Sequence, residues 1–390
     1  MLLEIKKLRK ELHQYPELSG REFETAKRIQ KFIELHYPTK IIENIGGTGL
    51  AAIYDFLEKG PVIAIRCELD ALPIKEKNEV EYRSITEGVS HKCGHDGHMA
   101  IVAGLIFWIK KQNLKSGKII LLFQPAEETG EGANKVLEDS KFEELNIDYI
   151  FAMHNIPGEP LHNIITMDKG FSAEVQSFKI SVKGKESHAS EPQNGINPGL
   201  GIAEIIKEIS QLENLNPFDK NFTVLTPIYI NMGKRAYGIS PANGELHYTI
   251  RTWSIEKMEV LKNKLNAIFS ICCQAKKLEF EVEWFEYFPA SKNNVIGNKY
   301  VLEAAKINNL TIIERSYPFR FGEDFGWFSR KYKTAMFGVG AGIDSPALHH
   351  ANYDFPDELI ETGINMFKEI IKKVFQDHNY DKINNEKVKV

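Results

Sequence analysis

The sequence predicts an α/β fold: a mixed, mostly parallel sheet covered by helices, with a smaller ferredoxin-like α+β domain inserted into it. Three observations carry this reading. At 390 residues the chain is longer than one ordinary hydrophobic core organises. Five short runs, LAAIYDF (50–56), VIAIRC (62–67), IILLF (119–123), YIFAM (149–153) and AMFGVG (335–340), are continuously apolar, as in strands covered on both faces. From about 175 to 285 the pattern changes to alternation, which suits half-buried strands of a separate, one-faced sheet.

Taken in order, Ile5, Leu8 and Leu12 follow helical spacing until YPELSG ends the helix. Ser19 with Glu22 three residues on reads as a capping box, and Phe23, Ala26, Ile29, Phe32 and Ile33 form the apolar stripe of the helix it would start. Further helices are expected at about 98–112, 130–137 and 357–376. Within the insertion, VQSFKISVKG is followed by a helix at 197–212, FTVLTPIYIN, GELHYTIRTW, a helix at 255–274 and LEFEVEWFEYF. That order, strand–helix–strand–strand–helix–strand, is the ferredoxin-like pattern. The closing DHNYDKINNEKVKV is polar and is expected to fray.

Composition excludes several classes. Hydrophobic residues at 43% and charged residues at 26% are ordinary globular values. A net charge of -4 offers no basic field for nucleic acid. The longest apolar run, MAIVAGLIFWI (99–109), is too short to span a bilayer as a helix, and the charged N-terminal stretch has no signal-peptide core. The four cysteines, Cys67, Cys93, Cys272 and Cys273, form no spaced disulfide framework, so a reducing, cytoplasmic setting is expected.

The chemistry concentrates in HKCGHDGH (91–98), with one Cys, one Asp and three His in eight positions. Other polar groups follow buried strands: Asp70 after VIAIRC, Glu127 and Glu128 after IILLFQPA, His154 after YIFAM, and His349 and His350 after GVGAGIDSPAL. Ligands of open α/β sheets bind beyond the carboxyl ends of the strands, so these groups are expected at one sheet edge. Cys93 and His95, two apart in an extended loop, would point the same way. Thiolate, imidazole and carboxylate suit zinc or a related divalent ion. Each group also has a plainer reading: His91 and His98 as helix-terminus or supporting residues, His154 as a satisfied core histidine. A pair of buried glutamates, by contrast, is costly without cations nearby.

These stretches, together with LRKELHQYPELSGREFETA, LDALPI, HKCGHDGHMA, FQPAEETGEGA, MHNIP, SHASEPQNGINP, YTIRTW, GEDFGWF and LHHANYDF, resemble the amidohydrolase branch of the two-metal aminoacylase/carboxypeptidase family. That branch includes hippurate hydrolases, indole-acetyl-amino-acid hydrolases and N-acetyl-diaminopimelate deacetylases. The resemblance implies a zinc-exopeptidase-like catalytic domain in two parts, 1–170 and 288–376, a lid and dimerisation domain at 171–287, and a frayed tail at 377–390. It implies Cys93, His95, Glu128, His154 and His349 as ligands of two divalent ions (Zn, Mn, Co or Ni), Glu127 as general base and Asp70 as a support behind the ligands. It further implies His188 reaching the neighbouring subunit's site, Arg251 anchoring a substrate carboxylate, and a homodimer formed through the inserted domain. Glu68 stands where the branch often has Asp, Gly238 where Asn is common, and Ala351-Asn352 replaces a motif that often carries Pro.

The expected activity is metal-dependent hydrolysis of the amide bond of a small-molecule N-acyl amino acid. The alternatives are a peptidase acting on dipeptides, a Cys93 nucleophile activated by histidine, and a non-catalytic metal-binding protein. The acyl group, the amino acid, the metal, and the parts played by His91, His98 and His350 are not readable from the sequence.

Overall fold

The computed structural model of the chain describes residues 1–387. It divides into two compact units: Met1–Phe171 with Ser291–Ser316 and the chain from Asp324 on, and Ser172–Ala290 with Tyr317–Glu323. In the first unit the strands are β1 (Lys40–Ile45), β2 (Gly49–Asp55), β3 (Glu58–Glu68), β4 (Ser116–Gln124), β5 (Tyr149–Ile156) and β6 (Ile164–Thr166). The second unit contributes β7 (Glu174–Lys183), β8 (Ser187–His188), β9 (Thr223–Met232), β10 (Ile239–Ser240), β11 (Asn243–Thr252) and β12 (Glu279–Phe288). The first unit then resumes with β13 (Ile312–Glu314) and β14 (Lys333–Gly340).

The larger sheet runs β1-β2-β4-β3-β5-β14-β6-β13. Its centre is parallel: β4 with β3, β3 with β5 and β5 with β14 all run the same way. These are the strands whose apolarity is continuous, and Ile63, Ile65, Ile119, Leu121, Phe151 and Phe337 on them are fully buried. Helices Leu2–Gln14, His95–Gly104 and Leu359–Lys387 bury Ile5, Leu8, Met99, Val102, Ile364 and Phe367 in the same core. The architecture expected from the sequence is therefore present. Because β3, β4, β5 and β14 are mutually parallel, their carboxyl ends share one edge, and the polar clusters that follow them are gathered there.

The second unit holds a four-stranded antiparallel sheet, β12-β7-β11-β9, with helices Gly199–Ser210 and Ile255–Ala275 on one face. Alternation explains that one-sided cover: Leu246, Tyr248 and Ile250 pack against Ile205, Leu265 and Phe269, while the intervening residues turn away. Residues 317–323, which the sequence reading leaves with the larger domain, pack here. Ser172 bridges Phe319, and Tyr317 meets Phe218 edge-on.

Three local expectations change. The helix read from 98 begins at His95 and is broken after Gly104. The last helix continues to Lys387, through most of the segment expected to fray, because an existing helix propagates cheaply even through polar residues; residues 388–390 lie outside the described chain. Ser19 caps nothing: the helix starts at Phe23 without a side-chain cap, the Ser19 hydroxyl donates to Asp70, and Glu22 turns inward. Among the described residues no helix is long and apolar enough to cross a membrane.

A buried charge network ties the first helix to the helix at His95. Arg9 pairs with Asp96 and Asp354, and both ring nitrogens of His13 face carboxylates, Asp96 at 2.9 Å and Glu76 at 3.0 Å. Lys92 donates to Glu76 at 2.6 Å. Burial pushes the Glu76 carboxyl up, but the hydrogen bonds from His13 and Lys92 win and hold it at about 2. A carboxylate depressed on folding stabilises above its unfolded value of 4.5, and that stability is lost as pH falls toward 2. Denaturant melts between pH 5 and 2 are expected to lose on the order of 3 kcal/mol through this group, and Glu76→Gln should flatten that slope.

Candidate metal centre

Each candidate ligand is delivered by a different element at the shared sheet edge. Gly94, with φ 96°, turns the chain between Cys93 and the first helical residue, His95. A Cβ at Gly94 would lie 2.6 Å from the Asn155 amide oxygen, so the turn needs glycine both for its conformation and for space. This turn, rather than the alternation of an extended segment, brings Cys93 and His95 to one site. β4 runs into Glu127 and Glu128, β5 carries His154, and the loop after β14 brings His349, whose N–H donates to the Lys92 carbonyl at 2.8 Å.

The ligand atoms form overlapping sets. Cys93, His95 and His154 offer atoms within 4.8 Å of one another, as do Cys93, Glu128 and His349, and His95, Glu127 and Glu128. The Cys93 sulfur lies 3.5 Å from His154 Nε2. His349 Nε2 lies 3.6 Å from a Glu128 oxygen, and His95 Nε2 lies 3.8 Å from Glu128 and 3.9 Å from Glu127. The Cys93–His154 contact is within hydrogen-bond range for sulfur, the carboxylate–imidazole gaps are too long for hydrogen bonds, and all are close to the separation of about 3.4 Å between two ligands of one tetrahedral ion. Cys93, His95 and Glu128 each belong to two of the sets; His95 has only Nε2 to offer, whereas a thiolate such as Cys93 could be shared between two ions.

The histidines are aimed from behind. His95 Nδ1 donates to the Asp70 carbonyl oxygen at 2.9 Å, and His154 Nδ1 donates to the Asn155 carbonyl oxygen at 2.8 Å. Each ring is thereby fixed in the tautomer whose Nε2 lone pair faces the cluster. His95 Nε2 is buried without a hydrogen-bond partner. Asp70 is held in turn by Ser19 and by the Glu128 N–H at 2.7 and 2.9 Å.

The electrostatics suit bound cations. Burial disfavours a charged His95, yet Asp70, Glu68 and Glu128 overcome it and push the imidazole up to about 10. Burial, with Glu128 and Glu127, raises the Cys93 thiol far above its usual value. A thiol in that state is no free nucleophile, which weighs against a Cys93 covalent mechanism; divalent ions would reverse both effects by favouring thiolate and neutral imidazole. The donor set therefore fits a pair of divalent ions.

The other histidines are not brought to the cluster as open donors. His98 has both ring nitrogens engaged, by Glu68 at 2.7 Å and Asn155 at 2.5 Å. His91 is buried against the His13 ring, and His350 accepts the Asn352 N–H. His188 and Arg251 both lie in the smaller unit. His188 is exposed on β8, and Arg251 on β11 donates to the Arg320 carbonyl oxygen at 2.6 Å.

The sequence reading missed the layer beneath the ligands. Arg66 pairs with Glu68 and, at 2.8 Å, with Asp324, and Asp324 also accepts from Gln124. The Asp324 N–H in turn donates to Glu127 at 3.3 Å. A signal existed: an arginine inside an otherwise apolar strand, and acids in GEDFGWF, are unlikely to be buried without partners.

The family model described as peptidase family M20/M25/M40 matches residues 64–373. The chain belongs to this family. It is 32% identical over 381 residues to the N-acetyl-L-cysteine deacetylase of Bacillus subtilis (strain 168), covering 96% of this chain and 89% of that protein. It is 31% identical to an uncharacterized hydrolase of Staphylococcus epidermidis, over 93% of this chain and 96% of that protein. The crystal structure of the Bacillus subtilis YXEP protein, described as a dinuclear metal binding peptidase of the M20 family, superposes with a TM-score of 0.81 at 28% identity, covering 96% of this chain and 98% of that chain. An aminobenzoyl-glutamate utilization protein of Klebsiella pneumoniae shares the fold with a TM-score of 0.70 at 17% identity, over 94% of this chain and 95% of that chain.

If Cys93 serves both ions, Cys93→Ala should lower the zinc bound per chain from about two to one or fewer. Elemental analysis after zinc loading and gel filtration checks this.

Proposed function

We propose that the protein hydrolyses the amide bond of N-acyl amino acids, releasing the acyl acid and the free amino acid. One observation carries the reading: the buried Glu127 carboxylate has one oxygen tethered by the Asp324 N–H and the other 3.9 Å from His95 Nε2, beside a sulfur, nitrogen and oxygen ligand set. The Bacillus subtilis deacetylase supports the substrate class. Cys93, His95, Glu128, His154 and His349 would hold two divalent ions of the Zn, Mn, Co or Ni type, a choice consistent with mixed soft and hard donors.

Two such ions, when bound, polarise the scissile carbonyl and lower the pKa of the attacking water. Glu127 takes the water proton on the oxygen that faces His95 while the water oxygen bonds to the carbonyl carbon. It then delivers that proton to the nitrogen as the carbon–nitrogen bond breaks. Asp70 keeps His95 in its donor tautomer. His188 of the partner subunit would donate to the oxyanion. Its Nδ1 accepts the Ser190 N–H at 3.1 Å, which leaves the donor N–H on Nε2.

Arg251 would anchor the substrate carboxylate. Burial lowers its pKa, and its hydrogen bond goes to the neutral carbonyl of Arg320. A half-buried guanidinium whose hydrogen bond goes to a neutral carbonyl favours an incoming carboxylate. The homodimer reading rests on β9. It is an edge strand, and Ile228, Ile230 and Met232 on it are 62%, 52% and 42% exposed. Beyond Pro227, which interrupts the strand, this apolar edge invites pairing with another strand.

Glu127→Gln should retain bound metal and lose at least about a thousandfold in kcat, within the range for a general base acting on bound water; near-normal turnover would reject the assignment. Chelation should abolish activity, and Zn, Mn, Co or Ni should restore it. A panel of N-acyl amino acids and dipeptides separates this reading from the peptidase one, which the description of the YXEP protein also favours. Ile228→Lys with Ile230→Glu should shift the protein from dimer to monomer in analytical ultracentrifugation and depress turnover.

A further inference from the structure

The turn after β4 carries a left-handed residue that has a side chain. Ala126 has φ 50°, a region that crowds an L-residue's Cβ. It directly precedes Glu127 and Glu128. The turn closes on itself: the Gly132 N–H donates to the Ala126 carbonyl at 3.0 Å, and the Gly130 N–H donates to the Glu127 carbonyl at 2.8 Å. At Gly132 a Cβ would lie 1.7 Å from the Pro125 oxygen, so no other residue fits the closure.

Three carboxylates grip this turn by its backbone. Asp70 accepts the Glu128 N–H at 2.9 Å, Asp324 accepts the Ala133 N–H at 2.8 Å, and Glu22 accepts the Ala126 N–H at 2.8 Å. Glu22 stands 104 residues earlier in the chain and is fully buried. Its other oxygen accepts the Thr48 hydroxyl at 2.6 Å, and the oxygen facing Ala126 also accepts the Gly20 N–H at 2.8 Å. All three donors are neutral. Burial, with the charge of Asp70, leaves this carboxyl above its usual value, and the donors pull it only part of the way back. Gly20 and Thr48 hold the carboxylate in place, and its remaining hydrogen bond goes to the strained residue itself, so this buried group bears on the conformation of Ala126.

We propose that Glu22 is a positioning residue for the hydrolytic reaction: by fixing the Ala126 N–H it holds Ala126 in the left-handed conformation and so sets the directions of Glu127 and Glu128. The proposal rests on the roles given above to those two glutamates. Without Glu22 the Ala126 backbone relaxes toward negative φ, which rotates the peptide leading into Glu127.

Three variants test it. Glu22→Ala removes the acceptor. Glu22→Gln keeps an oxygen for both N–H groups, and its amide can donate to the Thr48 hydroxyl. Ala126→Gly placed in the Glu22→Ala protein removes the penalty of the left-handed conformation. With the cobalt(II)-loaded protein and an N-acetyl amino acid, Glu22→Ala is expected to lower kcat by at least about thirtyfold with KM changed by less than about threefold, since a small misplacement of reacting groups costs rate more than binding. Glu22→Gln should stay within about threefold of the parent kcat, and the double variant should regain at least about fivefold over Glu22→Ala. The visible absorption bands of bound cobalt(II) should shift in Glu22→Ala and return in the other two.

Parent-like kcat and bands in Glu22→Ala overturn the proposal, as does a double variant no better than Glu22→Ala. If Glu22→Ala does not fold, Glu22→Gln and the double variant decide: both folded and active supports the proposal, and an inactive double variant overturns it. If the parent protein hydrolyses no N-acyl amino acid, the functional reading fails, and the cobalt bands alone decide the positioning claim: unshifted bands in Glu22→Ala reject it, and bands that shift there and return in the other two uphold it.

Discussion

Four carboxylates, Glu68, Asp70, Glu127 and Glu128, crowd one edge of the larger sheet, and such charges repel unless each is answered. The surrounding structure is organised around those answers. Glu68 meets Arg66 and His98. Asp70 is met by Ser19, the Glu128 N–H and the His95 ring. Glu127, which also accepts the Asp324 N–H, and Glu128 face imidazoles and a thiol at separations that suit two ligands of one ion. The inner carboxylates are compensated by protein, and in the proposed reading the outer pair also serves bound ions.

This division explains why the layer beneath the site is so polar. Arg66, fully buried inside an apolar strand, would be prohibitively costly alone. Tied to Glu68, Gln124 and Asp324, it links β3, β4 and the segment at Asp324 into one rigid support. Rigidity matters because general-base and ligand geometry tolerate only small displacements. The network of Arg9, His13, Asp96, Glu76 and Lys92 does the same from the other side, seating the helix that begins at His95.

Much of this was legible in the chain. The central strands announce themselves because burial on both faces leaves a run of five or six apolar residues, and the inserted domain because its sheet is covered on one face only. The edge strands β1 and β13 and the short β6 leave little to read: β1 is largely exposed, the other two are three residues long, and neither case leaves a period. The capping-box reading of Ser19 and Glu22 failed for an instructive reason. The spacing was correct, but both side chains had stronger partners in Asp70 and the Ala126 N–H, supplied by distant segments.

The sequence by itself determined the element types, the two-part architecture and the inventory of donors, since apolar periodicity and residue chemistry are local properties. Tertiary structure decided which donors share a site. It brought Cys93, His95, Glu128, His154 and His349 within reach of one another, gave His98 hydrogen-bonding partners in Glu68 and Asn155, and turned Glu22 and Asp324 into supports for one turn. Those outcomes depend on strand order and on contacts across a hundred or more residues, where no spacing rule operates.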